Sequence, residues 1–262
     1  MSTIDHDLER IDVLGVPVLT AEPPTARRAV AQACLTRDEP VKVAYANAHS
    51  LNLASTDPAF RSALQGFEFV FNDGAGVSLA ARVQGRPVPA NLNGSDFTPL
   101  LLDLAVREGW SVFFLGGKPG TAERAADGLA TQFPGLRVAG TAHGYFEPQG
   151  SAAVVAGVRR SGADVLIVAM GNPLQELWLQ EHLAATGALM GVGVGAFLDF
   201  AAGNVPRAPR WMNRLGIEWL YRLAQEPRRM WRRYVVGNPL FVMRVLTEQL
   251  RGRAARLLAQ TT

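Results

Sequence analysis

The sequence predicts an α/β protein: a mostly parallel sheet covered by helices, followed by a basic, amphipathic helical appendage. Three observations carry that expectation. Short apolar runs, partly β-branched, alternate with longer helical stretches. Glycine, asparagine and aspartate gather just past the ends of those runs. The charge is also divided: from Arg207 onward twelve arginines stand against Glu218, Glu226 and Glu248, yet the formal charge of all 262 residues is only +3, so the rest is net acidic.

Taken in order, Val41–Ala46, Glu68–Phe71, Ser111–Leu115, Leu136–Gly140, Asp164–Ala169 and Leu189–Val194 read as strands, because continuous apolar runs of this length suit burial on both faces. Pro24–Leu35, Ala75–Val83, Asp96–Arg107, Thr121–Gln132, Ala152–Arg160 and Pro173–Ala185 read as helices. Pro24 and Pro173 stand near helix starts, where a missing amide costs nothing. Such alternation means a Rossmann-like sheet covered by helices, with ligands at the carboxyl ends of the strands. The composition shift near Val205-Pro206-Arg207 divides the chain into a core of residues 1–206 and an appendage of residues 207–262.

An apolar content of 48% with 19% charged residues suits a globular enzyme and excludes general disorder. Cys34 is the single cysteine, so no intrachain disulfide forms and a reducing compartment is expected. The polar opening MSTIDHDLERID does not read as a signal peptide. No apolar run approaches the ~20 residues of a spanning helix. In the appendage, arginines are mixed with Trp211, Trp219, Leu220, Tyr221, Trp231, Tyr234 and Phe241. That mixture suits an anionic, partly apolar surface such as acidic lipid headgroups. Nucleic acid is a competing partner, and a solvated arginine-rich helix is the plain alternative.

Four strand ends carry candidate chemistry. Asn47 ends the first, and Asp73 beside Gly74 and Gly76 ends the second. A carboxylate there suits a general base or, equally, a helix N-cap. Gly116-Gly117-Lys118-Pro119-Gly120 leads from strand to helix and offers amides to a phosphate, although it matches neither GxxxxGK[ST] nor GxGxxG. Gly171-Asn172-Pro173-Leu174-Gln175-Glu176 places hydrogen-bonding side chains where sugar hydroxyls or a diphosphate would lie, with Glu176 alternatively favouring the helix start. Asp199, after the glycine-rich Gly191–Gly195, suits a ribose or base edge, or pins a turn. His6, His49, His143 and His182 are scattered, and no metal-ligand spacing appears, so no metal and no cofactor are expected.

In this order the segments resemble the WecG/TagA/CpsF family of bacterial glycosyltransferases. The likeness runs from Ile11 to about Phe241. It rests on Asn47-Ala48, Asp73-Gly74-x-Gly76, Phe114-Leu115-Gly116-Gly117, Gly140-Thr141-x-His143-Gly144-Tyr145-Phe146, Gly171-x-Pro173-x-Gln175-Glu176, Gly191-Val192-Gly193 with Phe197-x-Asp199, Arg207-Ala208-Pro209, Leu215–Arg222 and Glu226-Pro227-x-Arg229. The resemblance implies an inverting, metal-independent transferase. It would move a sugar from a UDP-sugar to an undecaprenyl-diphosphate-linked sugar, peripherally on the inner, cytoplasmic face of the membrane. The family's base falls on Asp73 and its active-site glutamine on Gln175. Nucleotide contacts fall on Tyr145 and Asp199, and appendage arginines on Arg222, Arg229 and Arg232. Tyr45, Asn47, Gly116, Gly117, Gly171, Asn172 and Glu176 complete the expected binding set.

Two departures bear on the donor. Tyr45 stands where well-known members have Thr, and it is expected to reshape the sugar pocket. Asn91-Leu92-Asn93-Gly94 replaces an arginine-bearing segment and is closer to the subgroup that builds exopolysaccharides. N-acetylmannosamine, its uronic acid and glucose all stay open as donors, and nothing excludes a homo-oligomer. The competing readings are a nicotinamide-dependent sugar oxidoreductase, opposed by the missing GxGxxG, and a nucleotide-binding module on membrane or nucleic acid without transferase activity.

Overall fold

The structure is a computed structural model describing residues 8–209, 211–212 and 217–259, without the side chains of Arg229 and residues 253–259. It opens with a hairpin, β1 (Glu9–Val13) and β2 (Val16–Thr20), closed by Leu14 and Gly15 at φ 55° and 79°. A two-residue turn of that hand matches the twist of its strands. The sequence reading passes over this hairpin because a leucine at positive φ carries no turn signature.

Strands and helices then alternate: α1 (Pro23–Thr36), β3 (Val41–Ala46), α2 (Ala48–Ala54), α3 (Pro58–Gln65), β4 (Phe69–Asn72), α4 (Ala75–Val83), α5 (Gly94–Glu108), β5 (Ser111–Gly116), α6 (Thr121–Gln132), β6 (Arg137–Ala142), α7 (Ser151–Ser161), β7 (Val165–Ala169), α8 (Leu174–Thr186), β8 (Met190–Gly193) and α9 (Phe197–Ala201). Among the described residues the strands form one sheet in the order β1-β2-β4-β3-β8-β7-β5-β6, parallel except for the opening hairpin. The expected fold class is therefore the observed one.

Side chains of the inner strands alternate between two cores, whereas the edge strands β1 and β6 are largely exposed or half-buried. Val112 and Phe114 of β5 face α1, α5, α6 and α9, while Phe113 and Leu115 face α2, α3, α4, α7 and α8. Burial on both faces is why these strands read as unbroken apolar runs rather than alternating ones.

Beyond α9 the chain forms α10 (Glu218–Gln225), α11 (Pro227–Trp231), a π-helical turn (Arg232–Val236) and α12 (Gly237–Ala259). The break between α10 and α11 lies at Glu226, whose φ −126° and ψ 61° leave the helical region. A residue before proline is driven out of that region by the proline ring. α12 packs on α2 and α4. Its Phe241 and Val245 join the same core as Leu51, Ala54, Val77, Ala80 and Ala81. Arg244 Nη1 donates to Asn52 O and Oδ1 at 3.0 and 2.9 Å, and Asn52 Nδ2 donates to Gly237 O at 2.7 Å. Glu248 Oε2 accepts from the Leu14 amide of the hairpin turn at 3.3 Å. The composition boundary at Val205–Arg207 is thus not an edge of the hydrophobic core.

Phe241→Ala is expected to cost about 3–5 kcal/mol, since it removes a large side chain from a filled site. Met243→Ala, two residues on and 61% exposed, should stay within about 0.5 kcal/mol. Urea unfolding of both variants checks this, and equal effects would mean that α12 is not docked in solution.

Candidate active site

The segments singled out in the sequence follow neighbouring strands and so meet along one edge of the sheet. At β3 and β4 the pairing of Ala46 with Asn72 puts Asn47 beside Asp73, and the Asp73 amide donates to Ala46 O at 2.8 Å. Asn47 caps α2: its Oδ1 accepts from the His49 and Ser50 amides, both at 3.1 Å. Capping fixes which end of the amide points where, and Nδ2 is left to donate to Asp73 Oδ2 at 3.1 Å. Asp73 caps nothing; the N-cap of α4 is Gly74, which has no side-chain cap bond. That removes the capping alternative for Asp73. Burial pushes the Asp73 carboxyl up from its usual range, against the pull of Asn47, Arg233 and Arg222.

The 84–93 loop is tied to the same strand end. Asn72 Nδ2 donates to Ala90 O and the Gly74 amide donates to Asn91 Oδ1, both at 2.8 Å. Asn93 caps α5 through the Asp96 amide.

At the centre of the sheet, Gln175 Oε1 accepts from two amides at once, Gly171 past β7 at 3.1 Å and Gly195 past β8 at 3.0 Å. Gln175 Nε2 and Asn172 Nδ2 both donate to Glu176 Oε1, at 2.7 and 2.6 Å. Gln175 is 2% exposed and Glu176 0%. These two side chains therefore lie beneath the strand-end surface, a correction to their expected direct contact with substrate. Burial is the main reason that the Glu176 carboxyl is pushed up to about 7.

On the β5 side, Gly116 (φ 147°) and Gly117 (φ 67°) make a turn that only glycine fits: a Cβ on Gly116 would lie 2.4 Å from Ala169 O. The Gly144 amide donates to Gly117 O at 2.9 Å, bringing exposed Tyr145 beside this turn. Asn204 joins the next wall, with Nδ2 donating to Asp199 Oδ1 (3.1 Å) and Thr121 Oγ1 (3.2 Å) while its Oδ1 accepts from Arg124 (2.8 Å). The turn-pinning role of Asp199 is thus present in the structure.

The appendage closes over the β4 end. Arg222 and Arg233 are the basic groups felt by Asp73, and Arg233 together with burial holds the His49 imidazole down to about 4, burial being the larger cause. The Arg222 guanidinium stacks on Phe200 at 5.2 Å, and its Nε has no hydrogen-bond partner among the described residues. Arg207 donates to Asp96 Oδ1. Glu218 stands among Arg222, Asp73, Arg207 and Asp96, its carboxyl raised chiefly by burial.

Of the expected arginines, then, Arg222 faces the site and Arg232 is exposed, while the side chain of Arg229 lies outside the described residues. Glu226-Pro227 breaks the helix between Arg222 and Arg229. The π turn then advances the register, so that Arg233 turns to Asp73. Arg233 was not named from sequence, and His49 was noted there only as one of four scattered histidines; the signal for its place here is its position two residues past Asn47. Tyr45 is also corrected. It is buried, its hydroxyl 3.1 Å from Thr98 Oγ1 and its ring edge-on to Phe97. A Cβ on Gly94 would come within 2.9 Å of the Tyr45 ring, so this tyrosine shapes the start of α5 from below. Among the described residues no group of three or more His, Cys, Asp or Glu is placed to hold a metal.

Fold and sequence together define an α/β protein whose candidate site residues lie at the carboxyl ends of a mostly parallel sheet. The sequence model of the Glycosyl transferase WecG/TagA/CpsF family matches residues 11–255. The chain belongs to this family: it is a glycosyltransferase, of a family that acts in cell-surface polysaccharide synthesis. The oxidoreductase and non-enzymatic alternatives fall with that result.

Because folding raises the affinity of Glu176 for a proton, the stability it contributes is fully present below the ordinary Glu range and is lost as pH rises through about 7. Glu176→Gln lacks that titration. Its melting temperature relative to wild type should climb between pH 5 and pH 8, by an amount worth on the order of 3 kcal/mol at full titration. Parallel curves against pH would refute the buried, raised carboxyl.

Proposed function

We propose that this enzyme is an inverting, metal-independent transferase moving a hexose or N-acetylhexosamine from a UDP-sugar to an undecaprenyl-diphosphate-linked sugar. In this reading the acceptor hydroxyl oxygen attacks the anomeric carbon, Asp73 takes the hydroxyl proton, and the bond from that carbon to the UDP oxygen breaks. The observation that carries the reading is a carboxylate anchored by Asn47, raised by burial and faced by Arg222 and Arg233. A raised carboxyl is a better proton acceptor. Arginines beside it offset the negative charge that develops on a departing diphosphate. Asn72, Asn91 and Asn93 hold the loop around the base. Gly116, Gly117, Tyr145, Asp199, Gly171 and Asn172 are assigned to the donor side. Arg229 keeps its assignment on the resemblance alone, and exposed Arg232 is assigned to lipid phosphates.

Residues 207–262 are proposed as the part that meets an anionic bilayer from the cytoplasmic side. Trp219 and Tyr234 pack on one another at 6.0 Å and Phe241 is buried, but Trp211, Trp231, Val235, Val236, Met243, Leu246 and Leu250 are exposed. Met243, Leu246 and Leu250 share one stripe of α12, at spacings of three and four. Among the described residues no helix is long and apolar enough to cross a membrane, so this surface would lie on the bilayer.

Transfer from a panel of UDP-sugars to a synthetic polyprenyl-diphosphate sugar tests the reading. Asp73→Asn should reduce turnover by about 10²–10⁴-fold while UDP still binds, and activity should persist in EDTA. Wild-type turnover by folded Asp73→Asn protein would end the base assignment.

Arg222→Ala and Arg233→Ala should each lower kcat while liposome binding, spread over many basic and apolar groups, stays near wild type. A loss of turnover matched by an equal loss of liposome binding would make these arginines anchors instead.

A further inference from the structure

The side chain of Glu176 occupies an expensive position. It is fully buried, takes two amide donors on one oxygen, and leaves Oε2 with no partner among the described residues. A dry carboxyl with half its acceptor capacity unused is destabilising, and an apolar residue of similar size would fill the same volume. What the carboxyl supplies is direction. A glutamine amide turns end for end at little steric cost, and only its oxygen can accept from Gly171 and Gly195. Glu176 Oε1 is an acceptor whether or not the other oxygen carries a proton, so it always selects the Nε2 end of Gln175. The Gln175 oxygen is then aimed at both glycine amides.

Those two glycines share one geometry and, unlike the other open glycines, one acceptor, Gln175 Oε1. Gly171 and Gly195 have φ of 78° and 57°, and a Cβ built on either meets no atom within 4 Å. With their amides drawn down onto Gln175, their bare Cα faces border open space past the ends of the neighbouring strands β7 and β8. A surface of that kind admits the flat face of a sugar or base up to the backbone.

We infer that Glu176 is a positioning residue for the nucleotide-sugar donor, acting through the Gln175 amide to hold the Gly171 and Gly195 turns open beneath it. This rests on the proposed UDP-sugar donor, and its two halves are separately testable. Glu176→Leu removes the acceptor and keeps the volume; Glu176→Gln restores an acceptor oxygen. In Glu176→Leu, amide hydrogen exchange at Gly171 and Gly195 should accelerate about tenfold or more, and in Glu176→Gln it should return close to wild type. With UDP-sugar, Glu176→Leu should raise the donor KM by about tenfold with kcat and acceptor KM little changed, and Glu176→Gln should restore it. The double variant Gln175→Leu/Glu176→Leu should be no worse for donor KM than Gln175→Leu alone, because Glu176 acts only through Gln175. Additive effects, or unchanged exchange in a folded Glu176→Leu protein, would overturn the positioning role whatever the donor. Faster exchange with an unchanged donor KM would leave the hydrogen-bond chain standing and overturn the placement of the donor on these glycines. If Glu176→Leu does not fold, Gln175→Leu carries the same exchange and KM comparison, and wild-type values there overturn the inference.

Discussion

Parallel register at one end of the sheet is the constraint on which the site depends. Asp73 lies beside Asn47, and that adjacency is set by the pairing of Ala46 with Asn72 and by the Asp73 amide on Ala46 O. The same holds across the sheet, where Gly116 pairs with Ala169 and the Val194 amide donates to Val168 O. A slip of one residue in any of these pairs would send the functional side chain to the opposite face. The doubly buried strands make such slips costly, because each would exchange packed side chains between two filled cores. Precision at the strand ends is therefore inherited from the cores.

On that edge, polar side chains are used in chains rather than singly. Asn47 caps α2 with its oxygen and holds Asp73 with its nitrogen. Gln175 joins two turns and is itself aimed by Glu176. Asn204 joins Asp199, Thr121 and Arg124. In each case an amide, with one accepting and one donating end, converts a local structural bond into an orientation for the next group.

Much of this was legible in the sequence. Five of the six expected strands announced themselves as apolar runs because burial on both faces leaves no polar alternation to confuse, and following strand ends led to Asn47, Asp73, Gly116 and Gly117. The failures have physical causes. Distance along the chain shows that Gln175 and Glu176 follow a strand but not that the first turn of α8 folds them under it. Tyr45 was placed in a pocket because its packing partner is Gly94, 49 positions away, whose missing side chain makes room for the ring. Arg233 was not legible because the break at Pro227 and the π turn after Trp231 decide which way it faces. Phe241 looked like part of an amphipathic tail because apolar residues of α12 that dock and those that are exposed alternate along the same helix.

The charge around Asp73 links these parts. Burial raises the proton affinity of its carboxyl. Arg222 and Arg233 pull the other way, and Asp96 opposes them. Both arginines belong to the segment after α9, and that segment is held in place by Phe241 and Val245 in the core, by Arg244 on Asn52 and by Arg207 on Asp96. Docking of the appendage and the proton affinity of Asp73 are consequently one equilibrium. A change that loosens α12 would withdraw positive charge from the buried Asp73 carboxyl and shift its proton affinity upward.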